Sequence, residues 1–129
     1  MSHLLWSFED LVQFTKSDEA EVRFWAVDRL VRHFPADSCD AIAEFLLDDH
    51  EATPTVVARH LGQHGDARHH AALVRGFRLL RGLVPGHCLQ ALVRLSYPGV
   101  VDLAADALKR GDLDDPALFL EASLILARQ

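Results

Sequence analysis

Four histidines crowd one stretch of this chain of 129 residues: His60, His64, His69 and His70. His60 and His64 are four apart, a spacing that on a helix puts two imidazoles on one face, where they can grip a zinc or iron ion. Metal-assisted hydrolysis would also need a third ligand, which Asp66 or His69 can offer across a turn, and a general base. No glutamate follows His60 directly, so the helix signature of zinc proteases is absent. The competing reading is of rim histidines. His33 and His64 lie 31 residues apart with Leu95 a further 31 on, and a position shared with leucine points to semi-buried packing. On balance no metal and no cofactor is expected.

Other reactive types fare no better. Asp48/Asp49 and Asp114/Asp115 are adjacent carboxylates on turns, which point apart and read as solvated helix ends rather than an acid–base pair. Cys88 beside His87 reads as a core thiol next to a surface ring, with no orienting third group tied to a recognisable turn. Cys39 and Cys88 are both expected to be reduced and buried, as small core-filling residues of a cytoplasmic protein. Phosphate-cradling glycine loops are absent.

The arginines are the stronger lead. Residues 1–58 carry a charge balance of −8, residues 59–96 of +5, and residues 97–129 of −3. The basic belt contains Arg59, Arg68, Arg75, Arg78, Arg81 and Arg94 against the single acid Asp66, and holds five of the eight histidines. The ends of the chain are therefore acidic around a cationic middle.

The elements that must position these residues read as helices. Ser7 caps a first helix to about Thr15, with Asp10 three residues on. A second helix covers about Glu19–Phe34, with a stripe Val22, Trp25, Ala26, Leu30 and a stop at Pro35. Asp37 or Ser38 caps a third, with inward Cys39, Ile42, Ala43, Leu46 and Leu47. Thr53-Pro54 opens a fourth, to about His64, with Gly65 as a left-handed cap. Further helices are expected over about Ala67–Leu80, Pro85–Ser96, Val100–Lys109 and Pro116–Arg128. Gly82 is expected to end its helix and Gly76 to mark close packing. A connection longer by about two residues is expected over Gly111–Asp115. Nothing alternates with period two, so no strand is expected.

Three sets of residues repeat every 31 positions: Leu30, Leu61 and Leu92; Ile42, Leu73 and Ala104; Leu46, Phe77 and Leu108. Such a period in a helical sequence predicts a stack of two-helix units, each burying its face on the next. The approximate units are 4–34, 35–65, 66–97 and 98–129, in a single domain. The last helix is apolar almost all round, which a terminal unit should not be. That implies the front part of a longer array, or self-association through this C-terminal helix. No apolar run approaches membrane length, and the start has no basic region of a signal peptide.

The pattern Asp18-x-x-x-Val22-Arg23-x-x-Ala26-x-x-x-Leu30 resembles the hallmark of HEAT-like repeats, of the short kind found in bacterial proteins and phycocyanobilin lyases. Val57-Ala58-x-x-Leu61-Gly62-x-x-Gly65-Asp66 is similar to the end of that consensus, and Val84, Cys88, Ala91 and Leu92 match in size in a degenerate third copy. The resemblance implies an all-α, right-handed α-solenoid of four two-helix units, with Arg23 bracing the stack against an aspartate, Asp18 being the nearest. It implies no single activity, because the fold serves scaffolds, lyases, a di-iron hydroxylase and DNA-repair enzymes. His50-Glu51 is one pair in a loop, whereas the hydroxylase needs several inside second helices.

Second helices of such arrays line the concave side. Their exposed register here is Arg29, Arg32, Arg59, His60, Gln63, Gln90 and Arg94, a polar and largely cationic groove. Two readings stand: a solvated face that keeps the array soluble, or a groove for an acidic peptide or protein surface. The function expected is a non-catalytic protein-binding scaffold. A lyase-like or metal-dependent enzyme, or enzyme subunit, is the alternative. Nucleic acid comes third, since the acidic ends would repel a long polyanion and few aromatics are available as stacking platforms, Tyr97 beside the belt among them.

Overall fold

In a computed structural model, which describes residues 6–110 and 115–129, the described residues form eight α-helices and two short 3-10 stretches, and no strand occurs among them. Helix α1 (Phe8–Phe14) opens with the expected cap: the Asp10 N–H donates to Ser7 Oγ at 3.1 Å, and the Ser7 N–H donates back to the Asp10 carboxylate at 3.0 Å. Helix α2 (Ala20–His33) stops ahead of Pro35. Helix α3 spans only Cys39–Ile42 and tightens into a 3-10 stretch over Ala43–Leu47, where one continuous helix was expected. Ser38 stands at its start without making a cap bond, because its hydroxyl faces His60 instead.

Helix α4 (Thr53–His64) carries Pro54 in its first turn, as the sequence predicts. Its end differs from expectation. Gly65 has φ −80° and ψ −170°, so it is extended rather than left-handed. Glycine is needed there for space: a Cβ would meet the Leu61 carbonyl oxygen at 2.5 Å and His69 Nδ1 at 2.9 Å. A short 3-10 turn (Ala67–His69), capped by Asp66, leads into helix α5 (His70–Leu79). Gly82 lies in the turn beyond it at φ +71°, a conformation that suits a residue without Cβ.

Helix α6 (Val84–Arg94) starts one residue before Pro85 and ends two before Ser96. Helix α7 covers Val100–Lys109 as expected. The expected stop at Gly111 and the longer connection fall mostly on residues 111–114, outside the described ones. Helix α8 (Pro116–Ala127) is capped by Asp115, whose carboxylate accepts the Ala117 N–H at 3.0 Å. Asp115 is buried, which corrects its reading as a solvated helix end.

Helices α2, α4, α6 and α8 pack in succession, each also against the element before it: α1, the 3-10 stretch, α5 and α7. The residues spaced by 31 form the spine of the core. Leu30, Leu61 and Leu92 are fully buried, as are Ile42, Leu73 and Ala104, while Leu46 and Phe77 are joined by a half-buried Leu108. Ala26 and Ala58 are fully buried as well. Gly76 marks close packing as expected, since a Cβ there would sit 2.8 Å from Leu46 Cδ2 and 3.0 Å from Cys88 Sγ. Both cysteines are free and buried, and burial pushes the Cys88 thiol up to about 12, which leaves it a packing residue rather than a nucleophile. Helix α8 buries Leu118, Ala122 and Ile125 but leaves Phe119, Leu120 and Leu124 exposed, so the chain covers one face of it and not the other. Among the described residues no helix is long and apolar enough to cross a membrane.

Candidate functional site: the cleft between α4 and α6

Small residues let α4 and α6 touch. A Cβ added at Gly62 would stand 2.9 Å from the Ala91 Cβ and 3.0 Å from its Cα. Ala58, Gly62 and Ala91 thus form the floor of a cleft of about 280 Å³. Arg59 and Gln63, four apart on α4, make one wall; His87, Gln90 and Arg94, at helical spacing on α6, make the other. A small-residue stripe flanked by a polar stripe on each helix is what builds the depression.

The two arginines of the cleft make no ion pair among the described residues. No carboxylate among the described residues lies within ion-pair distance of Arg59 or Arg94, whereas most other arginines are engaged. Arg29 and Arg32 both pair with Asp28 at 3.1 Å, and the Arg29 guanidinium lies 5.5 Å from the Trp25 ring centre. Arg68 pairs with Asp66 and Asp40, each at 3.1 Å. Burial and the Arg59 charge lower the His87 pKa, with Asp115 acting against them.

Of the groove residues read from the sequence, Arg59, Gln63, Gln90 and Arg94 come together in this cleft. Arg29 and Arg32 stand apart from it. His60 was expected in the groove, and the structure corrects that: it is 6% exposed and turned away. Its Nε2–H donates to the Pro35 carbonyl at 2.8 Å, with Ser38 Oγ 3.1 Å from the same nitrogen. His87 was not expected there; its place three residues before Gln90 and seven before Arg94 was the available signal.

The histidine cluster is occupied with bracing. The His60 and His64 ring centres are 4.7 Å apart. His69 Nδ1 accepts the Asp66 N–H at 3.0 Å while its Nε2 faces Asp40 at 2.9 Å. His70 Nε2 donates to the Leu95 carbonyl at 2.9 Å. Outside the cluster, His50 stacks on Phe24 with ring centres 4.6 Å apart and reaches Glu21 at 3.1 Å. No group of three or more His, Cys, Asp and Glu side chains is placed to hold a metal ion among the described residues.

Arg23 does brace the chain, but not through Asp18. Its Nε donates to Asp48 and its Nη2 to Asp49, both at 2.7 Å, and its Nη1 to the Ser17 carbonyl at 3.0 Å. The Asp48 side chain is therefore no solvated helix end: it is 5% exposed. Burial opposes its charge, but the Arg23 guanidinium and the His50 N–H outweigh that and hold the carboxyl below its ordinary range.

Comparison of the chain with models of known protein families, with curated proteins and with solved structures finds no match.

Burial lowers the His60 pKa, with the Pro35 carbonyl opposing and the neighbouring His64 adding to the fall. His60 and His87 both lie below the ordinary 6.5 in the folded protein, so the unfolded chain binds more protons just below that pH. Stability is accordingly expected to fall as pH drops from 7.5 to 5.5, read as the urea midpoint. Replacing His60→Gln together with His87→Gln, which keeps a donor for Pro35, is expected to shrink the fall. An equal fall in the double variant would contradict this assignment.

Proposed function

We propose that this chain is a non-catalytic binding module, a right-handed α-solenoid of four HEAT-like units whose α4–α6 cleft takes an acidic protein segment. Two things support the solenoid reading: the equivalence at 31-residue spacing of core leucines and the succession α2, α4, α6, α8. The observation that carries the binding reading is the pair Arg59 and Arg94, lining one cleft together with the amides of Gln63 and Gln90 and without a carboxylate partner among the described residues. Guanidinium groups grip carboxylates through paired N–H donors, and the amides can bond to a peptide backbone beside them. A cleft open to solvent on a helical face suits a protein segment better than an enclosed small substrate.

The test is a fluorescein-labelled peptide with two adjacent glutamates, followed by fluorescence anisotropy. Binding at low salt is expected to weaken several-fold as ionic strength rises toward 0.3 M, because exposed charges are screened within about 10 Å. Arg59→Glu with Arg94→Glu is expected to abolish binding while leaving the fold intact, since neither side chain supports the core. Undiminished binding by that variant would refute the cleft as the site.

A further inference from the structure

The α4–α6 cleft has a neighbour on the other side of α6. A second depression, of about 150 Å³, lies between α6 and the start of α8. It shares His87 and Gln90 with the first, so the two depressions adjoin along α6, with these side chains forming the ridge that a bound segment would straddle. Its own residues are of a different kind: Leu83, 62% exposed at the head of α6, Gly86, and the exposed Ala117 on α8. Gly86 lets the start of α8 approach α6 here, because a Cβ there would stand 2.8 Å from the Asp115 carboxylate and 3.6 Å from the Leu118 Cβ. That carboxylate is committed to capping α8 and repels a second anion. The pair of depressions is therefore polarised, cationic at the Arg59/Arg94 end and apolar with a fixed negative charge at the Leu83/Ala117 end.

We infer that the segment bound across these depressions is bipartite, an acidic residue at the Arg59/Arg94 end followed in space by an aliphatic side chain against Leu83 and Ala117. The inference rests on the cleft reading above and adds the specificity of the partner. The spacing follows from helix geometry. The two depressions lie on opposite sides of α6, about 9 Å apart across it. Their α6 residues are displaced by about four positions, or ~6 Å along the axis. The distance between the depressions is then ~11 Å, which is about three residues of extended chain. The acid and the aliphatic residue are separated by that number, and a second acid in the aliphatic position is rejected by Asp115.

Three labelled octapeptides test this, each with a glutamate pair and, three residues on, leucine, alanine or glutamate. The leucine peptide is expected to bind about tenfold more tightly than the alanine one, the effect of partly burying its additional carbons. The third glutamate is expected to bind no better than alanine despite its added charge. Ala117→Glu, a change at an exposed position in the first turn of α8, is expected to remove the leucine advantage and leave the alanine peptide's affinity within about twofold. Equal binding of the leucine and alanine peptides would overturn the bipartite inference while leaving the acidic cleft standing. A leucine advantage that survives Ala117→Glu would overturn it as well, by placing the leucine elsewhere. Binding of none of the three at low salt would overturn the cleft reading and the inference together.

Discussion

Leu61→Ala is expected to lower the free energy of unfolding by about 3–5 kcal/mol, the upper part of the range for deleting a large aliphatic group from a rigid core. Leu61 is fully buried on α4, the helix that packs against α2 on one side and α6 on the other. The helices around it cannot close on the space left behind, because the Gly62–Ala91 contact already brings α4 and α6 together. Leu30→Ala and Leu92→Ala are expected to cost comparable amounts, since the same 31-residue position is fully buried in each case. Leu108→Ala should cost less, because that side chain is only half-buried. Urea unfolding of the four variants at unchanged slope checks this. A loss below about 1 kcal/mol at Leu61 would mean that the repeat positions do not form a continuous core.

Gly62→Ala is expected to destabilise the protein by about 1–3 kcal/mol, the usual cost of overpacking. In the middle of a helix the same change ordinarily stabilises by about 0.5–1 kcal/mol, because alanine loses less backbone freedom on folding. The sign reverses here because the new methyl would land 2.9 Å from the Ala91 Cβ and 3.0 Å from its Cα, atoms that cannot rotate away. Helices α4 and α6 must then separate, which also alters the floor of the cleft. Adding Ala91→Gly removes the nearer of the two contacts, so the double variant is expected to be less destabilised than the two single losses added together, a coupling read from the thermodynamic cycle of the four proteins. A stabilised Gly62→Ala protein would show that the two helices are not in contact at this point.

Much of the helical framework was legible because it depends on local chemistry and periodicity. Ser7 and Asp10 announce a cap by their spacing, Pro54 and Pro116 mark first turns, and α7 falls where its pattern places it. The misreadings arise where the deciding partner is distant or where two adjacent residues were given one direction. Arg59 and His60 are neighbours on α4, rotated by about 100° from each other, so their side chains leave the helix in different directions. Arg59 shares its face with Gln63, and His60 turns toward the turn at Pro35, 25 residues earlier in the chain. Arg23 likewise finds Asp48, 25 residues on, whereas Asp18 is the nearest aspartate in the sequence. Gly65 has the position of a left-handed cap, but the Leu61 carbonyl, not a positive φ, excludes a side chain there. The four cleft residues Arg59, Gln63, Gln90 and Arg94 were legible because each pair sits on one helical face. The second depression beside α8 was not, since it depends on how the start of α8 approaches α6.

The most direct measurement is a titration of isotope-labelled protein with the diglutamate–leucine peptide at low salt, following the arginine Nε–H and glutamine side-chain amide resonances by NMR. The resonances of Arg59, Arg94, Gln63 and Gln90 are expected to shift together and saturably, and to return as salt is added. Arg29, Arg32 and Arg68, already paired with carboxylates, are expected to stay in place. Shifts spread evenly over all the arginines, or concentrated on Arg29 and Arg32, would contradict a binding cleft between α4 and α6.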